Sequence, residues 1–161
     1  MHRSLPTAWQ PAAPPAHYAA LAEDGVAARR ASRIAGLRAL NNEAKRALFE
    51  RALSELRDPP EANLRVVDLC CGRGGDVGKF LELSEDLGAP LAYVGIDVSA
   101  EQVSRGRARH PGVPGVRWAV ADCFSPGKAQ RAVEEAALDM AGGAHLVSCQ
   151  FALHYACSSA E

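Results

Sequence analysis

The 161 residues suffice for one domain with a hydrophobic core, and 48% of them are apolar, the ordinary proportion for a globular chain. A formal net charge of -1 excludes a polycation, so contact with nucleic acid has to come from local clustering or from a small, phosphate-rich part of it. No apolar run approaches the roughly eighteen residues needed to span a membrane, and the N-terminus lacks the apolar centre of a signal peptide, so no membrane partner is expected.

Residues 1–16 carry Pro6, Pro11, Pro14 and Pro15 without periodicity and read as a flexible, Pro-rich leader, leaving 17–161 as the folded unit. From about Asp24 to Leu56 Ala, Leu, Arg and Glu dominate, which predicts a helix with Ile34, Leu37, Ala44 and Leu48 on one face. Asp58-Pro59-Pro60 stops it. A strand, Arg65–Leu69, then feeds the turn Cys71-Gly72-Arg73-Gly74-Gly75 and a short helix, Val77–Leu83. Next come a strand at Ala92–Asp97, a helix at Glu101–Arg109 ended by His110-Pro111-Gly112, and a strand at Val116–Ala121 followed by Asp122. Residues 128–140 read as helix, broken by Gly142-Gly143, before a fourth strand, His145–Cys149.

This alternation predicts an α/β, Rossmann-like fold: a parallel sheet with helices on both faces. A doubly wound sheet continues past its switch point, whereas this sequence ends at Glu161, just beyond the fourth strand. The expectation is the N-terminal part of such a domain, its C-terminal half missing and an apolar face left open. Cys70, Cys71, Cys123, Cys149 and Cys157 are odd in number and form no C-x-x-C pair, which argues for reduced thiols in an intracellular protein and against a metal site.

A buried strand that runs into small residues and then a helix lets a ligand lie against backbone. A nicotinamide dinucleotide needs G-x-G-x-x-G, but Val77 stands at the third position, and Asp68 within the strand suits a cationic amino-acid group better than a pyrophosphate. S-adenosylmethionine has that group. Asp97, ending the second strand, can accept both ribose hydroxyls, and Asp122, ending the third, can accept from the adenine amine. A single Asp at such a place is ordinarily a cap on the next helix; three at successive strand ends, one followed by Cys71-Gly72-Arg73-Gly74-Gly75, point to this cofactor.

Four blocks sharpen the reading: His17-Tyr18 with Ser32-Arg33-Ile34 and Leu37-Arg38; Asn41-Asn42 with Lys45; Val67-Asp68-Leu69 with Cys71 to Asp76; and Ser148-Cys149-Gln150-Phe151 with His154-Tyr155. Residues 17–155 resemble on these blocks the N-terminal half of eukaryotic messenger-RNA cap guanine-N7 methyltransferases, class I enzymes dependent on S-adenosylmethionine. The resemblance implies that Lys45 reaches the cofactor carboxylate, that Cys70 and Gly72 meet the cofactor through backbone, and that Gln150 and Tyr155 lie near it. It implies Asn41 and Asn42 beside the cap nucleotide, Arg73, Lys79 and Arg109 on its triphosphate, and His154 with Tyr155 shaping the guanine pocket. His145 receives no role and Trp118 is core. Cys70 stands where the family has Gly or another small residue, and Glu43-Ala44 replaces a bulkier pair.

The implied reaction moves a methyl group from S-adenosylmethionine to guanine N7 of GpppN-ended RNA. N7 has a free lone pair, so no general base and no catalytic residue in the chemical sense are expected; orientation carries the rate. The implied partners are the capped RNA 5′ end and other capping or transcription proteins, for a monomer in the nucleus. The rival readings are a methyltransferase for another acceptor and an inactive, truncated fragment that binds S-adenosylmethionine; a dehydrogenase comes last.

Overall fold

The structure, a computed structural model, describes residues 32–56, 60, 62–136, 138, 140 and 142–153. Its elements are α1 (Ala35–Ser54), β1 (Leu64–Leu69), α2 (Val77–Leu87), β2 (Leu91–Asp97), α3 (Ala100–Arg109), β3 (Val116–Val120), α4 (Lys128–Glu135) and β4 (Leu146–Cys149). All four strands are parallel, in the order β3-β2-β1-β4. The chain steps outward from β1 to β3 and then returns to the other side of β1. The reversal opens a crevice at the carboxyl ends of β1 and β4, where open α/β sheets hold ligands.

Side chains alternate across the pleat, which sorts the core into two layers. Leu64, Val66, Leu91, Tyr93 and Val116 meet Phe49 and Leu53 of α1 and Val77, Phe80 and Leu83 of α2. On the opposite face Val67, Val94 and Ile96 meet Ala132 of α4. Helices therefore cover both faces, as expected. Both central strands are almost wholly buried, which explains why they read as apolar runs. Aromatic rings form a chain across the first layer: Phe49 to Phe80 at 4.6 Å between centroids, Phe80 to Tyr93 at 5.8 Å, and Tyr93 edge-on to Trp118 at 5.9 Å. Trp118 is half-buried against this core, in line with its expected place.

Several boundaries differ from the sequence reading. The first helix starts at Ala35, after a turn at Ser32–Ile34; residues 24–31 and the leader lie outside the described residues. Its expected face is wrong by one residue: Ile34, Leu37, Ala44 and Leu48 are exposed, while Arg38, Asn41, Lys45 and Phe49, each one position or a turn further round, point inward. The reason is that Phe49 seats on Phe80, and this contact rotates the whole helix. α2 runs on to Leu87, because Gly88 supplies the left-handed residue that closes it. α4 stops at Glu135 rather than 140: Leu138 and Met140 turn down onto the second core layer. β4 begins at Leu146 because the His145 ring takes a ladder position, its Nδ1 accepting the Arg65 backbone N–H at 3.0 Å.

β4 pairs only with β1 among the described residues, and Val147, Phe151 and Leu153 are exposed beside it. No helix among the described residues is long and apolar enough to cross a membrane.

Ser99 caps α3 by accepting the Gln102 N–H at 3.3 Å. Ser99→Ala is expected to destabilise the fold by about 1 kcal/mol in a urea titration; an unchanged midpoint would show that the cap contributes nothing.

Candidate functional site

The turn after β1 leaves room for a ligand. Cys70 and Gly72 both hold positive φ, 56° and 55°. A Cβ built on Gly72 would meet nothing within 4 Å, so the backbone there borders open space. The Gly72 N–H donates to Asp97 Oδ2 at 2.9 Å, and the Ser99 N–H donates to Asp97 Oδ1 at 2.8 Å. Asp97 thus joins the glycine turn to the start of α3. Each of its oxygens holds one N–H and keeps acceptor capacity for a second donor.

Asp122 is buried and locally engaged: Oδ1 accepts the Phe124 N–H at 3.0 Å and Oδ2 the Ser125 hydroxyl at 2.6 Å. These bonds close a local turn rather than cap α4, whose N-cap is Gly127, and acceptor capacity remains on the carboxylate. The next residue ties β3 to β1, since the Cys70 N–H donates to Cys123 Sγ at 3.4 Å. Hydrogen bonding from Cys70 holds the Cys123 thiol below its usual range, whereas the same contact and burial push Cys70 up. The ends of β1, β2 and β3 therefore meet at one rim through Gly72–Asp97 and Cys70–Cys123.

Lys45 crosses from α1 to this rim. Its Nζ donates to Asp76 Oδ2 at 2.7 Å, and Lys79 Nζ donates to Asp76 Oδ1 at 2.8 Å. Burial tends to raise the Asp76 carboxyl, but hydrogen bonds and charge from Lys45 and Lys79 outweigh it and hold it below the usual carboxylate range. One carboxylate thus orients two cations and leaves a net positive corner. Lys45 Nζ also lies 5.1 Å from the centroid of the Phe151 ring.

Asp68 is placed differently from the expectation that it faces a ligand. Leu64, Val66 and Asp68 share one face of β1, so the side chain enters the first core layer and is only 3% exposed. Its Oδ2 accepts the Tyr93 hydroxyl at 2.9 Å. Burial pushes this carboxyl up to about 7, against the opposing Tyr93 hydrogen bond. Ser148 Oγ is buried beside it, and its hydroxyl, like that of Tyr93, opposes the rise.

A pH dependence follows. The unfolded chain releases the Asp68 proton near pH 4, the folded one near 7, so the native state binds more protons between them. Its contribution is complete below about pH 4 and is lost as pH rises to about 7, with a slope near 1.4 kcal/mol per unit. Asp76 acts in the opposite sense, stabilising above its unfolded value and losing that only under acid. Urea titrations of the wild type and of Asp68→Asn from pH 4.5 to 7 are expected to diverge by this slope; parallel curves would refute it.

The remaining expected residues are distributed unevenly. Asn41 is half-buried on the inward stripe with Arg38 and Lys45, whereas Asn42 is exposed. Arg73 is half-buried on the glycine turn. Arg109 is exposed at the end of α3, next to His110, whose Nε2 lies 3.1 Å from the Gly74 carbonyl oxygen. Gln150 is half-buried directly after β4. His154 and Tyr155 lie outside the described residues. Asp76, Cys123 and Phe151 received no role from the sequence. Asp76 stood inside the recognised glycine block, but its partner Lys45 is 31 residues away and no local pattern announces the pair.

The family described as the mRNA (guanine-N(7))-methyltransferase domain matches residues 11–161. The mRNA cap guanine-N(7) methyltransferase of Caenorhabditis elegans is 33% identical over 147 residues, covering 86% of this chain and 36% of that protein. That of Schizosaccharomyces pombe is 30% identical over 149 residues, covering 90% and 38%. The chain thus spans well under half the length of these relatives. Among solved structures, the citrinin polyketide synthase CMeT domain aligns with 55% of this chain and 23% of its own, at 28% identity and a TM-score of 0.45. A family match of that extent settles the assignment: this chain belongs to the mRNA (guanine-N(7))-methyltransferase domain family, whose cofactor is S-adenosylmethionine.

Proposed function

We propose that this chain provides the cofactor site and the cap-phosphate side of an enzyme that methylates guanine N7 at the capped 5′ end of messenger RNA. The observation that carries the reading is the rim itself: the Gly72 turn, Asp97, Asp122 and Lys45 gathered at one end of a parallel sheet, in a chain of this family.

The residues present fit S-adenosylmethionine. Open space borders the Gly72 backbone, and both Asp97 oxygens keep acceptor capacity that suits ribose hydroxyls. Asp122 retains capacity for the adenine amine, and Cys70 offers backbone at the same turn. Lys45 has three N–H donors and spends one on Asp76, so it can reach a cofactor carboxylate while keeping that partner. Gln150 and Tyr155 would complete this side. When bound, S-adenosylmethionine supplies a methyl group on a sulfonium. Arg73, Lys79 and Arg109 serve the cap triphosphate, a ligand small enough for a near-neutral chain to hold. Asn41, Asn42 and His154 flank the cap nucleotide.

Guanine N7 needs no deprotonation, so the chain binds, orients and shields the reactants without a general base. The test is calorimetric titration of S-adenosylmethionine and of GpppG into the protein, with methyl transfer assayed on GpppN-RNA against pppN-RNA. Heat from both ligands and cap-dependent transfer are expected. Transfer to uncapped RNA, or no heat from S-adenosylmethionine, would overturn the reading. A substitution that abolished turnover with both affinities intact would overturn the orientation-only mechanism.

A further inference from the structure

We propose that a groove on the outer edge of β3, lined by Arg107, His110, Arg117 and Trp118, binds the ribose-phosphate chain of the transcript behind the cap. This rests on the cap-methylation reading and adds to it a place for the RNA body.

The groove is a solvent-open cavity of about 520 Å³ between the end of α3 and β3. Some surface arginines are matched by acids. Arg46, Arg51 and Arg105 each pair with a glutamate. Arg107 and Arg117 have no carboxylate within ion-pair distance among the described residues. They are held by carbonyls instead: Arg107 Nη2 donates to the Trp118 oxygen at 2.9 Å and Arg117 Nη1 to the Val116 oxygen at 3.0 Å. One N–H of each planar group is thereby anchored and the others remain available, an arrangement suited to phosphodiester oxygens.

The wall of the groove has the second element of single-strand binding, aromatic surface. His110 stacks on Trp118 with ring centroids 6.1 Å apart and planes at 23°. His110 also joins the groove to the cofactor rim, since its Nε2 lies 3.1 Å from the Gly74 oxygen, on the turn that carries Arg73. Arg73, Arg109, Arg107 and Arg117 thus mark a route from the turn to the sheet edge, all free of carboxylate partners among the described residues.

The test uses this chain with GpppA and a GpppA-capped octamer RNA, both read by fluorescence anisotropy or calorimetry. The octamer is expected to bind at least about tenfold more tightly than the dinucleotide. Arg107→Ala/Arg117→Ala should remove about that tenfold, leave GpppA binding and the melting temperature unchanged, and flatten the log–log salt dependence by about 1.4, the value for two phosphate contacts on a single strand. The Lys/Lys double variant should fall between. Equal affinity for octamer and dinucleotide, or an octamer affinity untouched by the alanines, would overturn the groove. So would an acidic peptide of matched charge that binds as tightly as RNA and is lost with it, since the face would then serve a protein. If the octamer still loses tenfold in the variant while neither GpppA nor S-adenosylmethionine binds, the groove stands and the cap reading falls.

Discussion

Replacing Asp97 by alanine is expected to weaken S-adenosylmethionine binding at least about a hundredfold. Two losses act together. Hydrogen bonds to a charged group contribute about 1.5–3 kcal/mol each, so two ribose contacts amount to about 3 kcal/mol or more, which is roughly two orders of magnitude in affinity. The same carboxylate holds the Gly72 and Ser99 N–H groups, so its removal also frees the turn against which the cofactor lies. Asp97→Asn keeps one acceptor oxygen and should lose less. Calorimetric titration reads both variants, with far-UV circular dichroism to establish that the sheet persists. An Asp97→Ala affinity within tenfold of wild type would place the ribose elsewhere.

The largest expected effect on stability belongs to Gly115→Ala. Gly115 has φ 72°, which costs an L side chain about 1–2 kcal/mol, and a Cβ there would stand 1.8 Å from the Leu91 backbone oxygen. Relief by a shift is blocked, because the Gly115 carbonyl accepts the Tyr93 N–H at 2.8 Å and so fixes the start of the β2–β3 pairing. The variant is expected to lose more than about 3 kcal/mol, the range reserved for backbone strain with core disruption. Gly127→Ala is the control: its φ is 73°, yet nothing lies within 4 Å of the new carbon, so only the conformational cost of about 1–2 kcal/mol applies. Urea denaturation distinguishes them. Equal losses would mean that the steric contact at Leu91 has no consequence.

The strands were legible because burial writes itself into local text. β1 and β2 are buried on both faces and so read as apolar runs, and each is followed by a turn residue and a helix. Asp97 was legible because the strand end alone sets its position. The face of α1 was not: the apolar period of Ile34, Leu37, Ala44 and Leu48 was real, but Phe49 packed on Phe80 turned that stripe outward and brought Asn41 and Lys45 inward. Asp68 shows the converse. Its place inside the first layer follows from the two-residue alternation with Leu64 and Val66, yet its position before the glycine turn suggested the ligand side.

By itself the sequence determined the order of elements, the parallel sheet, the glycine turn and the family, since each depends on neighbours a few residues apart. Only the tertiary structure decided that Asp76 would hold both Lys45 and Lys79, that Cys123 would close onto Cys70, and that the Arg107 side chain from α3 and Arg117 would meet backbone carbonyls of β3, with no carboxylate partner among the described residues. Those pairings depend on how helices seat against the sheet, and seating is set by the packing of side chains distant in sequence, which local periodicity does not encode.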